Sequence, residues 1–274
     1  MAQLGLDAVD TQRWPINDLA SPAGIAMLNT LREELGRDGW CTLPSFLTAA
    51  ALARLAGEAE ALSGRAWPGI DRATPYYGKI DPDLPADLPD DHPRCRTSPR
   101  NMAQVAYDQI PGDNALRHLY QSQVMPDFLA AVLETPPFFP MACPYQVVNI
   151  SVMNDSGSQN WHFDGAQFST TLMLQKPEQG GVFECVPQLR SRGDQNYAGV
   201  GRVMDGDRSG VVPVEVDART LMIFRGELSL HRVSPVAGPR KRLLVIFHYD
   251  TTPGLMGPHV VNQALYGPRV ERQT

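Results

Sequence analysis

Residues 160–165 read NWHFDG, and this stretch together with its apolar surroundings decides the expected fold. On an extended segment, His162 and Asp164 stand two positions apart and therefore share one face. Short runs rich in β-branched and aromatic residues, separated by Gly, Pro and Asp, surround the stretch and predict strands. The predicted strands are residues 145–153, 168–175, 181–186, 210–216, 220–225 and 242–249. This spacing predicts a sandwich or barrel.

The region before residue 140 has a mainly helical pattern. Apolar residues at helical spacing follow Pro22 and end before Gly39, and Thr48 can cap an alanine-rich helix. The run 40–47 contains Pro44, which favours a short edge strand. The remaining helices are predicted at 49–62, 114–123 and 127–134.

A long loop, rich in Pro, Asp and Gly, is predicted at residues 64–100. Loops of this length are either lids over a site or disordered, and the sequence leaves both open. We expect one domain over residues 1–274, in which a helical lead-in at 1–140 precedes a β core at 141–252.

Composition excludes several classes of protein. The 274 residues are 43% hydrophobic and 20% charged, which is typical of a globular protein. A net charge of −6 and the lack of a basic tract argue against nucleic acid as a partner. The sequence has neither a signal peptide nor an apolar run of about 18 residues, so we expect a cytoplasmic protein without a membrane partner. A small-molecule substrate is expected, a homodimer is allowed, and the 4 scattered cysteines are expected to be reduced.

A metal site is the chemistry that His162 and Asp164 favour. His231, after the predicted strand 220–225, supplies a third ligand. Two imidazoles and one carboxylate leave coordination positions open, which suits Fe(II) enzymes that bind a cosubstrate and O2. Zinc, with a hydrolytic water, is the alternative for the same three residues.

Two arginines further along the sequence support the interpretation of the triad as an iron site. Arg240 and Arg242 are two positions apart in RKRLLVIFHY, so we expect them to face the same way, and His248 to share that face. A guanidinium pairs well with a carboxylate in a site shielded from water. One of these arginines would therefore hold a dicarboxylate whose other end chelates iron, namely 2-oxoglutarate.

The HFD motif at 162–164, the HRVSPV segment at 231–236 and Arg242 together resemble the iron(II)- and 2-oxoglutarate-dependent dioxygenases. The resemblance covers about residues 145–250, and DGWCTLPSFL at 38–47 is similar to the lead-in of phytanoyl-type members. It implies a mainly β protein with flanking helices, a double-stranded β-helix of the jelly-roll, cupin-like kind. Fe(II), 2-oxoglutarate and O2 would be the cofactors and cosubstrates. By the resemblance, His162, Asp164 and His231 would ligate iron, and Arg242, or else Arg240, would bind 2-oxoglutarate with Asn149 and Phe168.

A narrower resemblance is to small bacterial radical halogenases of free amino acids and their hydroxylating relatives. It is carried by residues 168–191 and by GELSLHRVSPV at 226–236. Such halogenases have Gly or Ala in place of the carboxylate ligand, whereas this chain keeps Asp164. The resemblance therefore implies hydroxylation of an unactivated C–H bond in a small polar metabolite such as a free amino acid, with release of succinate and CO2. Desaturation, epoxidation or ring formation stays open.

Residues that flank the metal motif are predicted to contact the substrate, with solvated polar side chains as the alternative. They are Trp161, Gln159, Gln167 and Ser151. Two other functions fit the same residues. One is a divalent-metal hydrolase that uses the triad to activate water, and the other is a jelly-roll binding module without catalysis.

Overall fold

Two antiparallel sheets and a layer of helices make up the fold. The computed structural model describes residues 3–76 and 87–271. Its helices are α1 (Gln3–Leu6), α2 (Pro22–Asp38), α3 (Ala49–Leu62), α4 (Ala115–Gln121), α5 (Val124–Leu133), α6 (Tyr197–Met204) and α7 (His259–Tyr266), with single 3-10 turns at Ser63–Arg65 and Tyr107–Gln109. Among these described helices, none combines the length and the apolar character that crossing a bilayer requires.

Short strands fill most of the remaining chain. They are β1 (Trp40–Leu43), β2 (Arg72–Ala73), β3 (Ser98–Pro99), β4 (Ala103–Val105), β5 (Phe139–Pro140), β6 (Val148–Met153), β7 (Gln159–His162), β8 (Ser169–Gln175), β9 (Gln179–Gly180), β10 (Phe183–Val186), β11 (Val212–Val214), β12 (Leu221–Phe224), β13 (Leu230–Val233), β14 (Val236–Ala237), β15 (Arg242–Phe247) and β16 (Tyr249–Asp250).

The larger sheet has the order β1-β12-β8-β15-β6-β4, and the smaller sheet has the order β11-β10-β13-β7. Apolar side chains from both sheets, including Met173, Met222 and Phe183, form one cluster between them. The expected mainly β, jelly-roll fold is confirmed. The predicted edge strand is β1, which pairs with β12 at the margin of the larger sheet.

Side-chain alternation separates the two faces of the larger sheet. On β15, Leu243, Val245 and Phe247 are buried in the core that the helices cover. Arg242, Leu244, Ile246 and His248 point the other way, into a cavity. This period of two is the reason that one strand can serve both the hydrophobic core and a polar site.

Helix α2 begins and ends as the sequence predicts. The hydroxyl of Ser21 accepts a hydrogen bond from the backbone N of Gly24 at 3.0 Å, and Pro22 occupies the first turn. Gly39 ends the helix with a φ of 84°, a left-handed conformation that Gly adopts at little cost. The apolar stripe of α2, with Leu28 and Leu31, then packs into the main core.

Two parts of the chain differ from the expectation. Residues 190–210 are polar and rich in Gly, a composition that predicts irregular structure, but they contain α6. The Asn196 side chain caps this helix at Gly199, and Val200 and Val203 are buried beside Trp161. Burial of the valines outweighs the low helix propensity of Gly. In the predicted loop 64–100, β2 pairs with β3, whereas residues 77–86 lie outside the described residues.

The 4 cysteines are all free, and Cys41, Cys143 and Cys185 are buried. Cys185 lies on β10 directly opposite His231 of β13. Burial raises the pKa of the Cys41 and Cys185 thiols to about 12. These two thiols therefore stay protonated at neutral pH.

Replacing Leu172 with Ala tests the core beneath the larger sheet. Leu172 lies on β8, is 0% exposed and belongs to the main core cluster. We expect the free energy of unfolding to fall by about 2 to 5 kcal/mol, because the change removes buried contacts and leaves a cavity. Urea denaturation measures this loss. Val260→Ala, at a side chain 60% exposed, is the control and should change stability by less than about 0.5 kcal/mol.

Candidate metal centre and cavity

Three side chains converge on one point, two from strands of the smaller sheet and the third, Asp164, from the chain directly after β7. His162 ends β7 and pairs in register with His231 of β13. The Nε2 atoms of both histidines lie 3.5 Å from Oδ1 of Asp164. The candidate ligand atoms of the three residues all lie within 4.8 Å of one another. This spacing is suited to a single metal ion.

Backbone carbonyls fix the orientation of both imidazoles. Nδ1 of His162 lies 2.8 Å from the carbonyl oxygen of Asn160, and Nδ1 of His231 lies 2.9 Å from that of Ser229. A carbonyl only accepts, so each Nδ1 carries the proton and each Nε2 presents its lone pair. Hydrogen bonds of this kind commonly orient metal-binding histidines. Both rings are thus prepared to bind a cation.

The carboxylate of Asp164 is held in place by two features that the sequence did not single out. Ser169 donates a hydrogen bond to Oδ2 at 2.5 Å, which leaves Oδ1 facing the histidines. The backbone N of Asp164 donates to the carbonyl oxygen of Gly226 at 3.0 Å. A Cβ at residue 226 would fall against Oδ2, well inside van der Waals contact. The carboxylate therefore occupies a space next to residue 226 that only Gly at this position leaves open. We call this space the Gly226 cradle.

Gly226→Ala should disturb the centre without removing a ligand. The added methyl group would push the Asp164 carboxylate away from the histidines, so we expect iron affinity to fall by about 10-fold or more, as for other residues that support ligands. Equilibrium dialysis against Fe(II) under argon measures the change. Gly112→Ala, with no atom within 4 Å of its Cβ and no positive φ, is a control for a Gly replacement, and equal iron binding by both variants would contradict the role of the cradle.

Electrostatics in the triad favour an ionised Asp164 and a neutral His162. Burial alone would raise the pKa of Asp164, but the two imidazoles next to its carboxylate outweigh burial and hold that pKa well below its usual range. Burial, aided by repulsion from His231, lowers the pKa of His162. An ionised carboxylate and neutral imidazole are the forms that bind metals.

Arg242 is a buried cation beside the triad. It is 3% exposed, and its Nε donates to the carbonyl oxygen of Gly181 at 3.1 Å. Among the described residues, Nη1 has no hydrogen-bond partner, and burial lowers the pKa of Arg242 to about 10. A buried, partly unsatisfied guanidinium is costly unless an anion completes it. Arg242 is therefore suited to a bound carboxylate.

A cavity of about 980 Å³ contains the triad and Arg242. It lies between the two sheets, with apolar walls from Phe183, Phe224 and Leu244. Its volume is at the upper end of the range for small-molecule sites. His248 also lies on the wall, on the face of β15 shared with Arg242 as predicted, and burial lowers its pKa to about 4.

Gln159 and Asn149 are predicted contact residues that lie on the cavity wall. The side-chain nitrogen of Gln159 is 3.0 Å from Nε2 of His162, which places this amide at the candidate metal position. The amide of Asn149 is engaged, because its nitrogen donates to Tyr145 O at 2.7 Å and its oxygen accepts from Tyr266 at 2.8 Å. Their contacts with substrate and 2-oxoglutarate stay predictions.

Arg240, unlike Arg242, does not line the cavity. It precedes the first residue of β15, is exposed, and donates to the carbonyl oxygen of Pro177 at 3.3 Å. The expectation of a shared face assumed an extended chain, but Gly238 has a φ of 100° and the strand begins only at Arg242. The geometry thus favours Arg242 over Arg240 as the carboxylate partner.

Four other predicted contacts do not line the cavity. Trp161 points to the opposite face from His162 and packs against Val186 and α6, as alternation along β7 requires. Phe168 packs against the helix-covered core, and Gln167 is exposed. Ser151 is buried within β6 but is not part of the cavity wall. Closeness in sequence to the metal motif did not predict side-chain direction.

Solved structures with a similar fold include three that match most of the chain. AviO1 from Streptomyces viridochromogenes Tue57 has a TM-score of 0.55 and 18% identity, over 81% of this chain and 93% of its own. The non-heme alpha-ketoglutarate-dependent epimerase SnoN of nogalamycin biosynthesis has a TM-score of 0.55 and 15% identity, over 82% and 83%. An oxidoreductase of the 2OG-Fe(II) oxygenase family from Burkholderia pseudomallei has a TM-score of 0.52 and 17% identity, over 83% and 92%.

The chain thus has the fold of a structural class whose solved members include a prolyl-4-hydroxylase and an alpha-ketoglutarate-dependent epimerase, together with a His-Asp-His candidate metal centre. Within that class, the family model for halogenase D matches residues 91–264, more than half of the 274 residues. The chain belongs to the halogenase D family. No curated protein matches the sequence.

Proposed function

We propose that the protein is an Fe(II)- and 2-oxoglutarate-dependent dioxygenase that hydroxylates an unactivated C–H bond of a small polar metabolite, such as a free amino acid, and releases succinate and CO2. One observation carries the proposal. Two imidazoles, each oriented by a backbone carbonyl, face the same carboxylate oxygen of Asp164 at 3.5 Å. Two histidines and one carboxylate are the ligand set typical of iron enzymes that keep positions open for a cosubstrate and O2.

The residues present fit iron and 2-oxoglutarate. His162, Asp164 and His231 would hold the metal, and Arg242 would hold a carboxylate of 2-oxoglutarate. The support for the second assignment is the Nη1 atom of Arg242, which is buried with no partner among the described residues. Its place on the cavity wall makes it accessible to a bound anion. When bound, iron and 2-oxoglutarate would supply the oxidising power that breaks a C–H bond.

The chain's own residues bind, orient and exclude water. Ser169 and the backbone at Gly226 fix the Asp164 carboxylate, and the backbone carbonyls fix both imidazoles. The rings of Phe183 and Phe224 lie 5.4 and 5.0 Å from that of His231 and shield it. The two histidines lie on paired strands and Asp164 follows β7 directly, and ligands on regular elements are well oriented.

Asp164 supports hydroxylation rather than halogenation. Radical halogenases similar to this chain lack a carboxylate at that position, which leaves room for a halide. Here the carboxylate is present, is hydrogen-bonded and is held in its ionised form. Membership of the halogenase D family is therefore compatible with a hydroxylating member, in which the position for a halide is filled by Asp164.

The zinc hydrolase and the binding module are less well supported. A hydrolase with this triad has no need of a buried guanidinium in the same cavity whose Nη1 has no hydrogen-bond partner among the described residues. A module without catalysis has no need of a carboxylate ligand held by Ser169 and the Gly226 cradle. We also propose that residues 1–274 act as one domain, since β1 and β4 of the lead-in pair with strands of the larger sheet.

Anaerobic addition of Fe(II) and 2-oxoglutarate to the metal-free protein tests the proposal. We expect the weak visible charge-transfer band of an iron-chelated keto acid. Admission of O2 should then yield succinate, and the rate of succinate formation should be higher when a substrate is present. Iron binding without the band, or activity with zinc in the absence of O2, would favour the hydrolase. Failure to consume 2-oxoglutarate by a folded, iron-loaded protein would favour the binding module.

A further inference from the structure

A second, smaller cavity of about 200 Å³ adjoins the main cavity, which contains the triad. Exposed residues such as Glu178 and Glu215 lie on its wall, so this side cavity reaches the surface. Its inner part is apolar because it borders the cluster between the two sheets. The apolar wall residues are Met173, Val182, Phe183, Val214 and Val216. The side cavity therefore leads from solvent into the apolar space between the sheets.

Single side chains separate the side cavity from the main cavity. Phe183, Val216 and Arg242 line both cavities, so each of them has one side toward each space. The ring centroid of Phe183 lies 5.4 Å from that of His231, one of the three candidate iron ligands. At Phe183, the side cavity is thus one ring away from the candidate metal centre.

The members of this partition differ in how firmly they are held. Nε of Arg242 donates to the carbonyl oxygen of Gly181 at 3.1 Å, so moving Arg242 would break a buried hydrogen bond to a cation. Phe183 and Val216 belong to the same apolar cluster, and small rotations of their side chains break no hydrogen bond. A molecule that crosses between Phe183 and Val216 must therefore be small and apolar.

Charges at the outer rim of the side cavity disfavour anions. Nζ of Lys176 lies 3.4 Å from the carboxylate of Glu215 and 2.9 Å from that of Asp217. Glu178 adds another carboxylate to the wall. Among these four residues, three are acids and one is a base. Excess negative charge repels a dicarboxylate such as 2-oxoglutarate, but it exerts little force on a neutral gas.

We propose that the side cavity is the route by which O2 reaches the candidate metal centre. The inference rests on the proposed function, because it assumes that 2-oxoglutarate and the substrate fill the main cavity and obstruct that way to the metal. O2 is small, neutral and apolar, which matches both the apolar partition and the acidic rim. Apolar cavities in proteins take up small apolar molecules such as xenon, which is therefore a probe for this route.

Val214→Phe tests the route. Val214 is 7% exposed and lines the side cavity, but it is not part of the described wall of the main cavity. A phenyl ring at this position fills the side cavity and leaves the triad and Arg242 in place. The protein, loaded with Fe(II) and 2-oxoglutarate, is mixed with O2 in a stopped-flow instrument with a mixture of free L-amino acids present, and the decay of the visible band is followed.

We expect the second-order rate constant for O2 to fall about 10-fold in Val214→Phe, which corresponds to a barrier raised by about 1.4 kcal/mol. The affinity for 2-oxoglutarate should not change. Val214→Leu adds less volume and disturbs the packing less, so it should fold readily and give an intermediate rate constant. Crystals of the wild type under xenon pressure should contain xenon in the side cavity, and crystals of Val214→Phe should not.

Val212→Phe is the matched control, since Val212 lies on the same strand, is 39% exposed and belongs to neither cavity wall among the described residues. It should leave the rate constant for O2 unaltered. An equal loss in Val212→Phe would remove the support for a specific route.

An unaltered rate constant in Val214→Phe, with xenon excluded, would show that O2 enters through the main cavity and would overturn the proposal. A wild-type side cavity that takes up no xenon would also overturn it. Slower association of 2-oxoglutarate with Val214→Phe would identify an entrance for the cosubstrate instead of O2. Lack of the visible band in the wild type would reject the proposed dioxygenase function, a result that xenon uptake does not affect.

Discussion

Asp164→Ala is expected to abolish hydroxylation. The substitution removes one of three candidate iron ligands, the carboxylate whose Oδ1 lies 3.5 Å from Nε2 of both histidines. It also leaves Ser169 without the acceptor of its hydrogen bond. Succinate and hydroxylated product, measured by mass spectrometry with saturating Fe(II), should both fall below detection. Because a smaller residue replaces a partly exposed one, the fold should persist.

Asp113→Ala provides the control for Asp164→Ala, because Asp113 is an exposed carboxylate outside the cavity. Its activity should equal that of the wild type. Full hydroxylation by Asp164→Ala, with ordinary iron affinity, would refute the ligand assignment. A gain of chloride or bromide incorporation by the same variant would instead support it, because the halide would then occupy the position that the carboxylate fills.

Arg242→Gln should weaken 2-oxoglutarate binding about 30-fold or more, the effect of losing one partner of a buried charge pair. The glutamine keeps a polar group near the carbonyl oxygen of Gly181 but lacks the cation and the fork of donors. We expect the KM for 2-oxoglutarate to rise, with little change in Fe(II) affinity. Titration of the visible band with 2-oxoglutarate measures the shift directly.

Arg240→Gln is the natural comparison for Arg242→Gln. Arg240 is exposed and precedes β15, so its replacement should leave the KM for 2-oxoglutarate unaltered. If Arg240→Gln caused the larger rise, the arginine assignment would be reversed. Arg242→Lys should lie between the wild type and Arg242→Gln, since it keeps the charge without the fork.

Much of the fold was predictable because its strands alternate regularly. In residues 242–249, apolar side chains recur at Leu243, Val245 and Phe247. These three side chains are buried in the core that the helices cover. The intervening positions carry Arg242 and His248, which reach the cavity. Parity along a strand thus predicted both the core and the cavity side of this element. The same parity placed His162 and Asp164 together.

The parts that were missed depend on contacts between distant segments. Helix α6 forms because Val200 and Val203 find apolar partners in Trp161 and Leu230, which local composition cannot reveal. The cradle at Gly226 exists only because the turn after β12 meets the chain that follows β7. The sequence pattern of a metal motif predicts the ligands better than it predicts the residues that hold those ligands in place.

The thiol of Cys185 sits on the strand next to His231, in direct register with it. An enzyme that handles O2 at iron is exposed to stray oxidants of its own making, and the thiolate is the form of cysteine that they attack. Burial raises the pKa of this thiol to about 12, so almost none of it is ionised at neutral pH. The placement therefore favours a long working lifetime, because the Cys185 sulfur beside a candidate iron ligand stays in the less reactive thiol form.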